Sequence, residues 1–243
     1  LNNQECNRHI ADVKVSDRAL YEIYLPAFKA GVEKGGAWSV MAAYNLYKGQ
    51  HLCHNKYLLD DVLKGEWAFD GAVISDWGGA HDPDQAAAYG LDLEYGTWTD
   101  GLSTKGKKSY DSYMLADPYL ERLRDGRASI ETLDDKAGRV LKLIFRTAMK
   151  TDKPFGSLNS PEHHAAARAI GADGIVLLKN DAPAQGVKVL PVELESTKKI
   201  LVVGENALKM MTVGGGSSSL KVQHEVSPLE GMWAAGGDKA EVV

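Results

Sequence analysis

Only two cysteines, Cys6 and Cys53, occur in 243 residues. At most one disulfide is available, and the sequence is not that of a disulfide-stapled scaffold. Whether the two pair depends on a separation that sequence does not carry. No stretch approaches the roughly 20 consecutive apolar residues that cross a bilayer, and the first residues lack the charged-then-apolar form of a signal peptide. An excess of positive charge is missing as well. The 28 Lys and Arg stand against 33 Asp and Glu, a net charge of -5, which argues against nucleic acid or an anionic membrane surface as a partner and suits a neutral ligand. Neither G-x-G-x-x-G nor G-x-x-x-x-G-K-S/T occurs, so Val203-Gly204 before a short loop makes a poor nucleotide site. Internal repeats and low-complexity tracts are absent. His51, Cys53 and His54 stand close together, but a closed zinc site needs about four ligands and no second cluster follows. Neither a metal nor a cofactor is expected. His163-His164, after Ser160-Pro161-Glu162, reads as decoration on a solvated helix face.

What is present is a core. Hydrophobic residues make up 44% of the chain, enough for one large α/β domain or parts of two. The most informative stretch is Gly71-Ala72-Val73-Ile74-Ser75-Asp76-Trp77-Gly78-Gly79-Ala80-His81-Asp82. Ala72 to Ile74 show no polar alternation and read as a strand buried on both faces, as in a parallel sheet covered by helices. Asp76 would stand at its carboxyl end, where α/β proteins carry their catalytic groups. An aspartate there is costly to bury for structure alone, although a strand-end Asp also serves as an N-cap or Asx turn.

The flanking residues repeat the pattern. Residues 1 to 15 are polar and loop-like, an odd beginning for a stable domain, so the chain is expected to open within a longer pattern, with room for an export signal upstream. Ser16 caps a helix over about 17 to 30, with Leu20, Tyr24 and Phe28 on one face and Pro26 as the place for a kink. Trp38 to Tyr44 read as a second buried strand. Asn55 opens a helix whose Leu58, Leu59, Val62 and Leu63 face inward, closed by Gly65. Asp82 to Ala88 give a short helix and Leu91-Asp92-Leu93-Glu94 a third strand, and three such units in succession argue for a parallel sheet or barrel. Residues 96 to 112 form a polar loop that would line a cleft. Asp117-Pro118 opens a helix, and a longer one follows with Ala137, Val140, Leu141, Ile144, Phe145 and Ala148 as the stripe that packs. Residues 150 to 160 have linker composition. Beyond them come a helix from Pro161, strands at Gly174 to Leu178 and Ile200 to Gly204, a glycine loop at 214 to 216, and a helix begun by the capping box Ser227-Pro228-Leu229-Glu230. The fold class is therefore α/β.

The wording around Asp76, with Met41-Ala42-Ala43-Tyr44-Asn45, Lys64-Gly65-Glu66-Trp67-Ala68-Phe69-Asp70-Gly71 and Gly90-Leu91-Asp92-Leu93-Glu94, resembles glycoside hydrolase family 3. Ala167 to Asn180 look like that family's entry into its second domain, and Gly214 to Ser218 like a loop further along. The resemblance implies the C-terminal part of a (β/α)8-type barrel over 1–149, a linker at 150–160 and the N-terminal part of an α/β sandwich over 161–243. It implies a retaining β-glycosidase of the β-glucosidase kind, with β-xylosidase specificity as an alternative. Its partner would be a β-glycoside or oligosaccharide, cleaved at the non-reducing end, and its location periplasmic or extracellular. By the same matching Asp76 corresponds to the nucleophile, Trp77 to a subsite wall, Tyr44 to a tyrosine beside the nucleophile and Met41 to a subsite lining. For Tyr44 and Met41 plain core packing is the competing reading.

The residue types suit the role. A nucleophilic carboxylate must carry its charge while held against a ring, a phenol can steady that charge, and an indole offers an apolar face to a sugar's C–H surface. Arg8 matches too loosely to be counted. Asp92 and Glu94 alternate onto one strand face and are expected to hydrogen-bond around the barrel rim, because the family's acid/base is a glutamate later than residue 243. The family's Lys-His pair, which contacts the sugar, would precede Leu1. The chain alone is therefore expected to be inactive. The branch that cleaves N-acetylglucosaminides carries an Asp-His loop that Leu1 to Ala11 lack. A sugar-binding remnant without chemistry is the remaining alternative, since folds outlast functions, but it would not need the carboxylate of Asp76. A metal-dependent hydrolase would need strand-end His and Asp ligands, and only Asp76, Asp92 and Glu94 are well placed.

Overall fold

Ala72–Ser75 forms a strand paired in parallel with Ser39–Ala42, in the register Ser39↔Ala72 to Ala42↔Ser75. These lie in a computed structural model that describes residues 1–96, 113–152, 154–182, 186–212 and 221–243. The chain divides into two units, Leu1–Lys153 and Pro154–Val243.

The first unit runs through β1 (Asp12–Val13), α1 (Asp17–Ala19), a π-helical segment (Leu20–Tyr24), α2 (Leu25–Glu33), β2 (Ser39–Ala42), β3 (Leu46–Tyr47) and β4 (Gln50–His51). It continues with a second π-helical segment (Tyr57–Glu66), β5 (Ala72–Ser75), α3 (Pro83–Ala88), α4 (Asp117–Arg124) and α5 (Ile130–Arg146). Ser16 accepts from the Ala19 N–H at 3.2 Å, the expected cap. Pro26 stands two residues past the first π-helical segment, where Leu25 N–H reaches back to Leu20 C=O, so the residue with no N–H to give stands beside a widened turn. Asn55 caps the second segment through Leu58 N–H at 3.0 Å. Leu59, Val62 and Leu63 of that segment join Val73, Phe69 and Leu91 in one buried cluster, so a βαβ crossover covers β2 and β5. Leu91 to Glu94 run alongside β5 with a single parallel bridge, Ile74↔Leu93, rather than as a full strand.

Three expectations about faces fail. The strand read at Trp38 to Tyr44 as buried is not buried throughout, with Trp38 42% and Met41 53% exposed. Phe28 is exposed, whereas Leu20 is fully buried. In α5 the predicted stripe points outward, with Leu141 and Phe145 both more than half exposed, while Lys136 is buried. The reason is polar. Lys136 Nζ donates to the carbonyls of Tyr89 and Leu91, and Arg139 donates to those of Phe69 at 2.9 Å and Gly71 at 3.0 Å. These cations satisfy backbone acceptors around the start of β5 and ahead of Leu93, and that fixes the rotation of the helix.

The second unit contains α6 (Pro161–Asp173), β6 (Lys199–Ile200), α7 (Pro228–Gly236) and β7 (Glu241–Val242), with β6 and β7 paired in parallel. The caps form as expected. Ser160 accepts from His163 N–H, and Ser227 and Glu230 make a full capping box. The strand expected at Gly174 to Leu178 does not form. Gly174 ends α6, the next four residues are exposed, and no described strand pairs with them. The Ile200 strand is shorter than expected, although Val202 N–H still reaches Val243 C=O at 2.7 Å. The glycine loop at 214 to 216, and the polar loop at 96 to 112 apart from Gly96, lie outside the described residues.

Candidate active site

Because β2 and β5 are parallel and in register, their carboxyl ends deliver their next residues to one place. Asp76 N–H donates to Ala42 C=O at 3.1 Å. Tyr44, two residues past β2, donates its hydroxyl to Asp76 Oδ1 at 2.8 Å, and the same oxygen accepts from Trp77 N–H at 2.7 Å. Both of these bonds fall on Oδ1, which leaves Oδ2 as the oxygen with room for another partner. The cap of α3 is a different carboxylate, Asp82, which accepts from Asp84 and Gln85. Asp76 is thus not spent on the helix that follows it. Met41 and Trp77 are exposed, at 53% and 59%. An apolar cavity bounded by Leu1, Tyr24, Phe28 and Leu63 reaches Met41 but is not lined by Asp76.

Tyr44 is held on several sides. It is buried, the Arg8 guanidinium lies 4.7 Å above its ring, and the His9 ring is 4.2 Å away. Burial first, then the hydrogen bond to Asp76, pushes its phenol up to about 12, so it stays a proton-bearing donor to the carboxylate. Arg8 and His9 stand next to each other in a polar stretch of the sequence, but nothing local connects them with a tyrosine 35 residues on. Tyr95, also unsignalled, stacks on Trp77 with ring centroids 5.0 Å apart.

Behind Tyr44, Cys53 Sγ faces the carbonyls of Ala42 and Ala43, and burial pushes its thiol up to about 12. A side chain at Gly79 would meet that sulfur at 2.5 Å, which explains a glycine there. Cys6 is exposed and Cys53 buried, and both are free thiols. His51 binds the Tyr44 carbonyl at 3.0 Å and lies 4.0 Å from the His81 ring. His54 pairs with Gln85. Among the described residues no group of three or more His, Cys, Asp or Glu is arranged to hold a metal ion.

The other strand-end carboxylates are committed. Asp92 pairs with Lys64 Nζ at 2.7 Å and accepts from Val73 N–H at 2.7 Å. Burial still raises it against the pull of Lys64. Glu94 accepts from Leu115 N–H at 2.8 Å and is likewise raised by burial.

The chain as a whole matches known proteins. Residues 3–143 match the profile described as the glycosyl hydrolase family 3 N terminal domain, and residues 175–242 the corresponding C-terminal domain. The chain is 55% identical over 98% of its length to a protein of Bacteroides ovatus named beta-glucosidase BoGH3A, of which it covers 32%. Among solved structures, beta-glucosidase 3B of Thermotoga neapolitana in complex with alpha-D-glucose has a TM-score of 0.82 at 31% identity, covering 100% of this chain and 32% of that one. DesR, a beta-glucosidase of Streptomyces venezuelae in complex with D-glucose, has a TM-score of 0.85 at 30% identity, covering 100% and 30%. The chain thus spans about a third of the length of these relatives. Its first unit has the barrel-type α/β fold of that N-terminal domain. By sequence and structure alike, the chain belongs to glycosyl hydrolase family 3.

Proposed function

We propose that the protein is a retaining β-glucosidase-type enzyme that releases non-reducing-end β-linked sugars by double displacement, with Asp76 as the nucleophile. The observation that supports this most directly is the pair of donors, Tyr44 Oη and Trp77 N–H, on Asp76 Oδ1. They orient the carboxylate and steady its charge. Oδ2 then attacks the anomeric carbon, the leaving oxygen takes a proton from a carboxylic acid, and water hydrolyses the glycosyl-enzyme ester. Trp77 walls the subsite and Met41 lines it. Retention needs the second carboxyl about 5 to 5.5 Å from the first. Asp92 and Glu94 are occupied by Lys64, Val73 and Leu115, so neither is taken as the proton donor. Turnover accordingly belongs to the full encoded polypeptide, in which 1–149 would serve as barrel, 150–160 as linker and 161–243 as sandwich.

The name of the 55% identical relative and the glucose in both structural neighbours favour glucose as the sugar. The test is to treat the full encoded polypeptide with 2-deoxy-2-fluoro-β-glucosyl fluoride and map the adduct by mass spectrometry. A fluoroglucosyl ester on Asp76 is expected. An active enzyme labelled at another carboxylate would remove Asp76 from this role.

A further inference from the structure

An indole standing 59% exposed beside a carboxylate would ordinarily swing among rotamers, losing the fixed face that ring recognition requires. Here it is held. Tyr95 stacks on one face of Trp77 at 5.0 Å with the planes 15° apart, and its own backbone is pinned on both sides of the Asp76–Trp77 pair. Tyr95 N–H donates to Ser75 Oγ at 2.8 Å, one residue before Asp76. Gly78 N–H, one residue after Trp77, donates to Tyr95 C=O at 2.9 Å. Ser75 is fully buried, so the anchor is the strand itself. Gly96 completes the fit. It has φ of 59°, and a Cβ there would strike Trp77 Cδ1 at 2.5 Å, so the backbone passes as close to the indole as a residue without a side chain allows.

We infer that Tyr95 is a positioning residue that fixes the Trp77 indole plane against Asp76 and so sets how strongly the site binds leaving groups that carry a flat ring. The inference rests on the reading of Asp76 as nucleophile and deepens it. The hydrogen bonds of Tyr95 go to Ser75 and Gly78 and not to Asp76. It covers one indole face and lowers the ordering cost of binding. Its removal therefore acts on the binding of the leaving group and not on the carboxylate chemistry.

The test uses the full encoded polypeptide with 4-nitrophenyl β-glucoside and methyl β-glucoside as probes. Tyr95→Leu is expected to raise KM for the nitrophenyl glycoside roughly three- to tenfold, the range that loss of an aromatic pair supports. KM for the methyl glycoside and kcat for both should stay within about twofold, since the stack acts on the leaving-group ring. Tyr95→Phe keeps the stack and should restore KM. Gly96→Ala, which pushes on the indole with Tyr95 intact, should reproduce the effect of Tyr95→Leu, and it decides the matter with Tyr95→Phe if Tyr95→Leu does not fold. Near-UV circular dichroism should show the aromatic band altered in Tyr95→Leu and Gly96→Ala and kept in Tyr95→Phe. Unchanged KM in Tyr95→Leu and Gly96→Ala, equal KM increases for both glycosides, or a Tyr95→Phe variant as impaired as Tyr95→Leu would each overturn the inference. Asp76→Ala separates the two levels. If it keeps turnover, the reading of the site fails, and if it abolishes turnover while the Tyr95 series is flat, only the role of Tyr95 fails.

Discussion

Two apolar runs of similar wording meet different ends in this chain. Ala72-Val73-Ile74 lies in β5, with Ala72 and Val73 at 0% exposure, whereas Ile175-Val176-Leu177-Leu178 is exposed along its length, up to 92% at Leu178. The difference is in the neighbours. β5 has β2 in register on one side, the Leu93 bridge on the other, and a helical segment whose Leu59, Val62 and Leu63 close the same cluster. The second run has no described strand beside it, and the one described ladder of its unit is β6 with β7. Apolar composition states a demand for burial. A strand also needs a partner for every second N–H and C=O, and composition does not supply one.

The comparison breaks most sharply at the residue that ends β5. Asp76→Ala in the full encoded polypeptide should lower kcat by roughly three orders of magnitude or more, with partial rescue by azide, while leaving the thermal midpoint near that of the parent. Steady-state assays with and without azide check this. Normal turnover would make the end of β5 as inert as the end of the 175–178 run.

Next in size is the contrast in packing. Leu91→Ala, at 0% exposure, should cost about 3 kcal/mol, the usual range for a buried leucine. Leu178→Ala, at 92%, should cost less than about 0.5 kcal/mol. Chemical denaturation of the two variants measures both, and equal losses would mean that the second run is buried in solution.

Histidine burial gives a smaller, pH-dependent contrast. Burial, then the neighbouring His51, pushes His81 down from 6.5 to about 4, and burial also lowers His54. Both bind fewer protons folded than unfolded below their ordinary range. The stability they contribute is therefore present above about 6.5 and is lost as pH falls towards about 4. The thermal midpoint of the first unit should drop across that window, and a His54→Gln/His81→Gln double variant should flatten the drop. A scanning calorimetry series in pH would show it.

The smallest effects should be alike in the two units. Asp82→Ala at α3 and Ser227→Ala at α7 each remove a side-chain acceptor from first-turn N–H groups and should each cost about 1 kcal/mol. Measured stabilities that differ by much more would show that one cap carries tertiary contacts as well.

The caps at Ser16, Asn55, Ser160 and Ser227, the buried strand at 72 to 75 and the placing of Tyr44 and Asp76 each at the end of a strand are legible in the amino-acid order alone. Each follows from bonds made within a few residues or from a strand's uniform apolarity. The facing of α5 is not legible there. Its apolar stripe reads as the buried one, yet Lys136 and Arg139 turn inward, where they donate to the carbonyls of residues 69, 71, 89 and 91. Arg8 and His9 around Tyr44, and Tyr95 on Trp77, are illegible for the same reason, since each meets its partner across 18 to 36 residues of chain.

The sequence by itself determined where helices start, which residues avoid water in β5, and that a carboxylate follows a dry strand, because capping and alternation act over single turns and single strands. Only the tertiary structure decided which faces are buried, that Asp76 is spared from capping α3, and that a tyrosine hydroxyl 2.8 Å away holds it. Those outcomes depend on how distant segments compete for the same backbone acceptors and the same core, a competition that is resolved only when all of them are packed together.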